Sequence, residues 1–313
     1  MNSDIILNKN KKEENLLAKK KHVDKHYSLI DSKYKLNSVE LKIILTTISL
    51  IRKDDIEFKK YIIPIKEFDF LIKNNHYSRL KDYCLNLMKK PLEIKQDNGG
   101  WTIFNWFSSI KYNIETKNLE LKISDDLKPY LLQLKSNFKS YNLEYIMPMK
   151  SEYSIRIYEI LKKSEKLKTI TYKLKELYDF LQVSNTFTSY GDFKRKILFT
   201  SSKEIALYTD IYYEYEEIKN GRKVESIKFK IFKNNYNKDL NLSEKEIFLS
   251  WVEKIRKHYI NEELIYYPYK DANIRVNKKG MLYLDNGEAI LPDDAIKLWE
   301  WMYKNKSKLN IKS

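Results

Sequence analysis

One order of elements occurs twice in this chain, and no other feature restricts its fold as much. The first pass opens at Asn37-Ser38-Val39-Glu40, where a side-chain acceptor precedes a Glu by three residues in the manner of a capping box. Leu41, Ile44, Leu45, Ile48 and Ile51 then keep helical spacing. Tyr61-Ile62-Ile63-Pro64-Ile65 reads as a short strand. Lys66–Ile72 and His76–Lys89 read as helices on either side of the polar turn Lys73-Asn74-Asn75. After Pro91 come β-rich runs at Leu92–Lys95, Trp101–Ile110, Tyr112–Glu115 and Asn118–Ile123. The second pass starts with a long helix over Met149–Glu165, with Tyr153, Ile157, Tyr158 and Leu161 on one face. A strand at Thr169–Tyr172, helices at Lys173–Leu181 and Gly191–Leu207, and strands at Ile211–Ile218 and Val224–Phe232 follow. Asn220-Gly221 between the last two runs is a strong hairpin signal, because both residues tolerate positive φ.

Helix, strand, helix, helix, hairpin is the order of a winged helix. The expected fold is therefore α+β, with two tandem winged-helix domains over 26–148 and 149–235. Residues 1–25 read as a basic flexible arm, with structure beginning near Tyr27. Residues 236–313 read as a small C-terminal α+β extension of open role. In it a capping box at Ser243-Glu244-Lys245-Glu246 opens a helix to about Tyr259, a hairpin spans Asn273–Leu284, and a second helix spans Asp294–Lys304. It also holds Trp251, Trp299 and Trp301.

The chain carries 59 Lys and Arg against 43 Asp and Glu, a formal charge of +16, which points to a polyanionic partner. Only seven of the basic residues are Arg, and a diffuse lysine background says little, so placement has to decide. Residues 150–235 hold 18 basic and 12 acidic side chains, whereas 236–313 hold 14 and 12. At about 100° per residue, Phe193, Ile197, Leu198, Ser201 and Ile205 fall on one arc of the helix Gly191–Leu207. Arg195, Lys196, Phe199, Ser202 and Lys203 fall on the other, and Lys194 lies between the two. Such an outer face suits duplex DNA. Arg195 is placed for base readout, because its fork pairs with a guanine edge, and Phe199 for a thymine methyl. Lys196 and Lys203 suit phosphates, as do Lys219, Arg222 and Lys223 at the hairpin tip. Ser189 and Tyr190 precede the helix and offer hydroxyls to phosphate near its positive end. The corresponding helix of the first pass turns Leu80, Cys84, Leu87 and Met88 inward. It presents Ser78, Arg79, Asp82, Asn86 and Lys89, and Asp82 would repel phosphate; Ser78, Arg79 and Lys89 are secondary candidates.

Other chemistries find no support. Neither phosphate-cradling glycine motif occurs, which argues against an ATPase or a dinucleotide enzyme. His22 and His26 stand four apart without Cys or carboxylate partners, so no metal site is expected. The single cysteine, Cys84, reads as a buried structural residue. No catalytic residue and no cofactor are expected. No apolar run approaches the roughly 18 residues of a membrane span, and the N-terminus lacks a secretory pattern. A soluble cytoplasmic protein without membrane contact is expected.

Several stretches, taken in order, carry a resemblance. They are Asp31-Ser32-Lys33-Tyr34-Lys35-Leu36-Asn37, Ser151-Glu152-Tyr153-Ser154-Ile155-Arg156-Ile157-Tyr158-Glu159-Ile160-Leu161, and Tyr190-Gly191-Asp192-Phe193-Lys194-Arg195-Lys196-Ile197-Leu198. Asn220-Gly221-Arg222-Lys223-Val224 with Ile227 and Phe229 adds to them. Over roughly residues 22–235 the chain resembles the RepB/RepE-type replication initiators of iteron-containing, theta-replicating plasmids. The resemblance implies two tandem winged helices, the second entering the major groove of a repeat and the first serving dimerisation or further DNA contact. It implies monomers on direct repeats that open the origin, dimers on an inverted repeat that repress the initiator's own gene, and host initiator and helicase as partners. One departure is that Lys194 and Lys196 flank Arg195 where the family often has more arginine, and lysine lacks the bidentate fork. Two readings from other classes stand beside it. One is a winged-helix transcriptional regulator without a replication role, the other a basic interaction scaffold.

Overall fold

The computed structural model describes residues 21–68, 77–96, 98–187 and 189–234, with 265–267, 272–276, 282–284 and 301. The chain divides into two compact units, Met1–Lys238 and Asp239–Ser313. In the second unit, Ile265–Tyr267, Ala272–Val276 and Leu282–Leu284 form an antiparallel sheet in that order. The hairpin expected over 273–284 is therefore present, with one strand added before it. The turn at residues 73–75, the first 20 residues, Trp251, Trp299 and the helix expected to begin at Ser243 lie outside the described residues, as does the one expected over 294–304 apart from Trp301.

The first unit repeats not only the order of its elements but their pairing. Lys60–Pro64 pairs with Asn118–Ile123, which pairs in turn with Phe107–Asn113. Thr169–Lys173 pairs with Lys223–Lys233, which pairs with Ile211–Asn220. In both sheets the strand that precedes the helices lies against the returning arm of the hairpin, all antiparallel. Each sheet buries one face: Leu119, Leu121 and Ile123 in the first, Ile227, Phe229 and Ile231 in the second. The helix Ser38–Ile48 starts as expected. Asn37 Oδ1 accepts from the Glu40 amide and Glu40 Oε2 from the Asn37 amide, both at 2.9 Å.

Some expectations need correcting. The run Trp101–Ile110 is two strands. Trp101–Phe104 pairs with Leu92–Lys95 as a separate ribbon, and Phe107–Asn113 joins the main sheet and takes in the start of the expected strand Tyr112–Glu115. The break falls at Trp106, which is buried and meets Tyr34 edge-on at 5.1 Å. Met88 is 36% exposed rather than inward. Leu80, Cys84 and Leu87 already fill the inner side of Tyr77–Lys89, and one further residue turns the helix by about 100°. Cys84 is buried, and burial pushes its thiol up to about 12. Among the described residues regular structure is already present at His22, ahead of Tyr27: His22–His26 pairs with Phe138–Asn142. His22 and His26 thus share the face of a strand, and His26 Nδ1 accepts from the Ser28 amide at 3.2 Å. Among the described residues no group of three His, Cys, Asp or Glu side chains is placed to hold a metal ion. No described helix is long and apolar enough to cross a membrane.

The helix expected over Met149–Glu165 spans Glu152–Lys163, capped by Ser151. Instead of burying one face it is buried all round from Ser154 to Lys162, charges included. It packs on Ser38–Ile48 and Phe138–Asn142 from the first module and on Phe199–Tyr208 from the second. Glu159 lies at the centre. Its Oε1 is 2.8 Å from Lys25 Nζ and accepts from the Tyr141 hydroxyl at 2.5 Å, and its Oε2 is 3.3 Å from Arg156 Nη1. Arg156 donates to the Ser32 carbonyl at 2.6 Å and to the Ile30 carbonyl at 3.2 Å. Its guanidinium is sandwiched between Tyr34 of the first module at 3.9 Å and Phe180 of the second at 4.1 Å.

Burial alone would raise the Glu159 carboxyl, but Lys25 and then Arg156 outweigh it and hold the group below the usual glutamate range. Burial lowers Lys25 in turn, only partly offset by Glu159. A depressed carboxylate pKa gives stability that is present above the unfolded value and lost as pH falls through the folded one. Acid unfolding is therefore expected to steepen below about pH 4.5, the ordinary glutamate value. Glu159→Gln should flatten this profile, read by circular dichroism across a pH series. An unchanged profile would remove Glu159 from the acid transition.

Candidate nucleic-acid interface

The helix expected to read DNA in the second module is continuous from Tyr190 to Tyr208, but its geometry changes twice. Tyr190–Phe193 is α-helical, Lys194–Leu198 is π-helical and Phe199–Tyr208 is α-helical again. The apolar arc read from the sequence is the buried one: Phe193, Ile197, Leu198, Ser201 and Ile205 are all 0% exposed. In a regular α-helix a four-residue spacing drifts by about 40° per step. The wider π turn absorbs part of that drift, so positions 193, 197, 201 and 205 all stay inside. The altered ladder is also stitched to the wing. Tyr213 donates to the Leu198 carbonyl at 2.9 Å and lies 2.6 Å from Ser201 Oγ, which donates to the Ile197 carbonyl at 2.7 Å.

Alternate residues of the strand Ile211–Asn220 continue the stitching outward. Two steps beyond Tyr215 stands Glu217. Its Oε1 accepts from the Tyr190 hydroxyl at 2.9 Å and from Lys194 Nζ at 2.6 Å, and Lys219 Nζ is 3.9 Å from its Oε2. The hydrogen bond from Lys194, then that from Tyr190, holds Glu217 below the usual carboxylate range against its partial burial. Burial and the bond to Glu217 push the Tyr190 phenol up. Three residues expected at DNA, Tyr190, Lys194 and Lys219, are thus gathered on one carboxylate at the root of the wing.

The helix start is organised by a second carboxylate. Ser189 caps the helix: its Oγ accepts from the Asp192 amide and donates to Asp192 Oδ2, both at 3.2 Å. Arg195 Nη2 donates to Asp192 Oδ1 at 2.7 Å, while its side chain stays 71% exposed. Lys196 is exposed with Nζ 5.8 Å from the centre of the Phe187 ring. Phe199 is 42% exposed, with Lys203 Nζ 4.4 Å over its ring. The Ser202 hydroxyl turns back to the Phe199 carbonyl at 3.0 Å.

The wing tip is a two-residue turn, shifted by one position from the Asn-Gly reading. Asn220 pairs with Lys223, so Gly221 and Arg222 form the loop. Only Gly221 takes a positive φ, 59°, as a type II′ turn requires at its first central position. Arg222 therefore sits at the apex beside Lys223, and among the described residues neither side chain has an ion-pair or hydrogen-bond partner. Lys228 and Lys230 on the wing are met by Glu216 at 3.9 and 2.5 Å. In the first module, Arg79, Asp82, Asn86 and Lys89 are exposed on Tyr77–Lys89, and the Ser78 side chain lies outside the described residues. Sequence reasoning missed Asp192 and Glu217. Asp192 was legible as the residue three before Arg195. Glu217 had no local signal, since its hydrogen-bond partners Tyr190 and Lys194 stand more than 20 residues away.

With this geometry in view, the comparisons are specific. Residues 22–162 match the family model of the initiator replication protein's first winged helix, and residues 173–231 that of its second. The chain belongs to the plasmid Rep initiator family. A replication initiation protein of Escherichia coli is 29% identical over 226 residues, 67% of this chain and 69% of that protein. The crystal structure of Pi initiator protein in complex with iteron DNA is similar with a TM-score of 0.57 and 19% identity, over 69% of this chain and 99% of that one. That second likeness is one of fold: this Rep initiator has two tandem winged helices in an α+β architecture.

Proposed function

We propose that this Rep initiator binds repeated origin DNA, or iterons, sequence-specifically, opens a plasmid origin and recruits the host initiator and helicase. It does so in the cytoplasm as a binding protein without catalysis, and represses its own gene as a dimer on an inverted repeat. The observation that carries the reading is the match of both modules, in order, to the initiator family. The exposed cations of the second module support its role as the main reader. The first module dimerises or adds contacts through Arg79 and Lys89. The wing tip and reading helix divide the work. Arg195 reads a base edge, Lys196, Lys203, Arg222 and Lys223 hold phosphates, and Ser189 and Ser202 are committed chiefly to the helix. The test is a plasmid-maintenance assay joined to a gel shift with the DNA adjoining the gene, inspected for tandem repeats of roughly two helical turns. Loss of maintenance without the protein, and a shift that depends on the repeats, are expected. A replicon copied normally without it would leave a transcriptional regulator.

Two substitutions separate free from committed cations. Lys223→Ala is expected to weaken binding to every sequence alike and to flatten the salt dependence by about one unit. Lys194→Ala should leave the slope nearly unchanged, because Glu217 already holds that ammonium. Equal slopes for Lys223→Ala and wild type would take the wing tip out of the interface.

A further inference from the structure

We propose that Asp192 is a specificity-determining positioning residue, whose carboxylate holds the Arg195 guanidinium for guanine at the expense of general attraction to DNA. The inference rests on the DNA-binding reading above. A carboxylate amid the cations of a DNA-facing helix is an electrostatic liability. Asp192 cannot shed it: the hydrogen bonds from Arg195, then from Ser189, hold the group below the usual aspartate range. A bland role exists, since an acidic residue in a first turn suits the helix dipole. That role needs no partner at Arg195, and the cap is already made by Ser189.

The geometry joins Ser189, Asp192 and Arg195 into one chain on the first turns. Ser189 Oγ donates to Asp192 Oδ2 at 3.2 Å, and Asp192 Oδ1 accepts from Arg195 Nη2 at 2.7 Å. The carboxylate is fixed on one side by the cap and holds the arginine on the other. A guanidinium has five N–H donors in a planar fork, so one bond to Asp192 leaves donors free for the N7 and O6 of a guanine. An exposed arginine without such a tether would have to be ordered when DNA arrives; a tethered one is already ordered. The neighbouring cations cannot substitute. Lys194 is held by Glu217, Lys196 lies toward Phe187, and an ammonium is a point charge without a fork.

A positioning role and a merely electrostatic one move DNA binding in opposite directions. The experiment measures binding of the full chain to two duplexes by fluorescence anisotropy. One carries a single repeat from the DNA adjoining the gene, and the other has the same composition scrambled. Asp192→Asn keeps the side chain's shape and removes its charge. It should bind the scrambled duplex about threefold tighter, because a repelling charge is gone. It should bind the repeat more weakly, so that discrimination falls by about tenfold. In an Arg195→Ala background the same change should strengthen both duplexes equally. Arg195→Lys, which keeps the charge and loses the fork, should lose discrimination to a similar extent. Equal strengthening on both duplexes in the wild-type background would make Asp192 a bare charge and overturn the proposal. So would equal weakening with a lowered melting temperature, or a cognate preference retained by Arg195→Lys. A wild-type chain that did not discriminate between the duplexes would sink the DNA-reading assignment itself.

Discussion

Glu159→Ala is expected to cost about 3–5 kcal/mol of stability, the usual penalty for stranding a buried charge by removing its partner. The Lys25 side chain is 1% exposed and the Arg156 side chain 5%, so neither can turn to water without opening the fold. The Tyr141 hydroxyl, which donates to Glu159, would lose its acceptor as well. Domains are held by only about 5–15 kcal/mol in total, so the variant should lie close to unfolding at ordinary temperature. Urea titration followed by circular dichroism measures the loss. The double change Lys25→Met with Glu159→Leu leaves one buried cation, Arg156, without its carboxylate in place of two, and should recover part of the loss, because well-packed apolar pairs often match buried ion pairs. A single variant within about 1 kcal/mol of wild type, the value of an exposed pair, would mean that water reaches the network.

Arg195→Ala is expected to lose about 1–3 kcal/mol of binding, chiefly on the cognate repeat, as for one bidentate contact to a base. The side chain is mostly exposed and among the described residues its one bond is to Asp192, so the fold should survive and the loss should appear in binding alone. Titrations against the repeat and against scrambled DNA at matched salt separate the cases. Equal loss on both would make Arg195 a phosphate contact.

The parts of the fold that follow from local periodicity were readable in advance. Phe193, Ile197, Ser201 and Ile205 mark the inner side of the reading helix by their spacing, and the hairpin around Gly221 by its flanking strands. The π turn was not readable, because it is a response to the four-residue spacing combined with the demand of Tyr213 on the Leu198 carbonyl. Residues 22–25 passed for part of a flexible arm because one of the strand's two inward positions is a lysine. The strand sends Lys25 inward beside Val23, and only Glu159, 134 residues later, makes that tenable. The same distance effect hid Glu217. Its sequence neighbours show an acidic strand residue, while its partners Tyr190 and Lys194 arrive from another element. Charge counts could propose the second module as the interface, but not say which of its cations were already paired.

The guanidinium of Arg156, clasped between Tyr34 and Phe180, makes the join between the two winged helices a shared seam instead of a linker. A recombinant that grafts this reading module onto the first half of another initiator would inherit one jaw of that clasp without the other. Exchange of DNA specificity between relatives should therefore go more easily by replacing surface residues of the reading helix than by swapping the module whole.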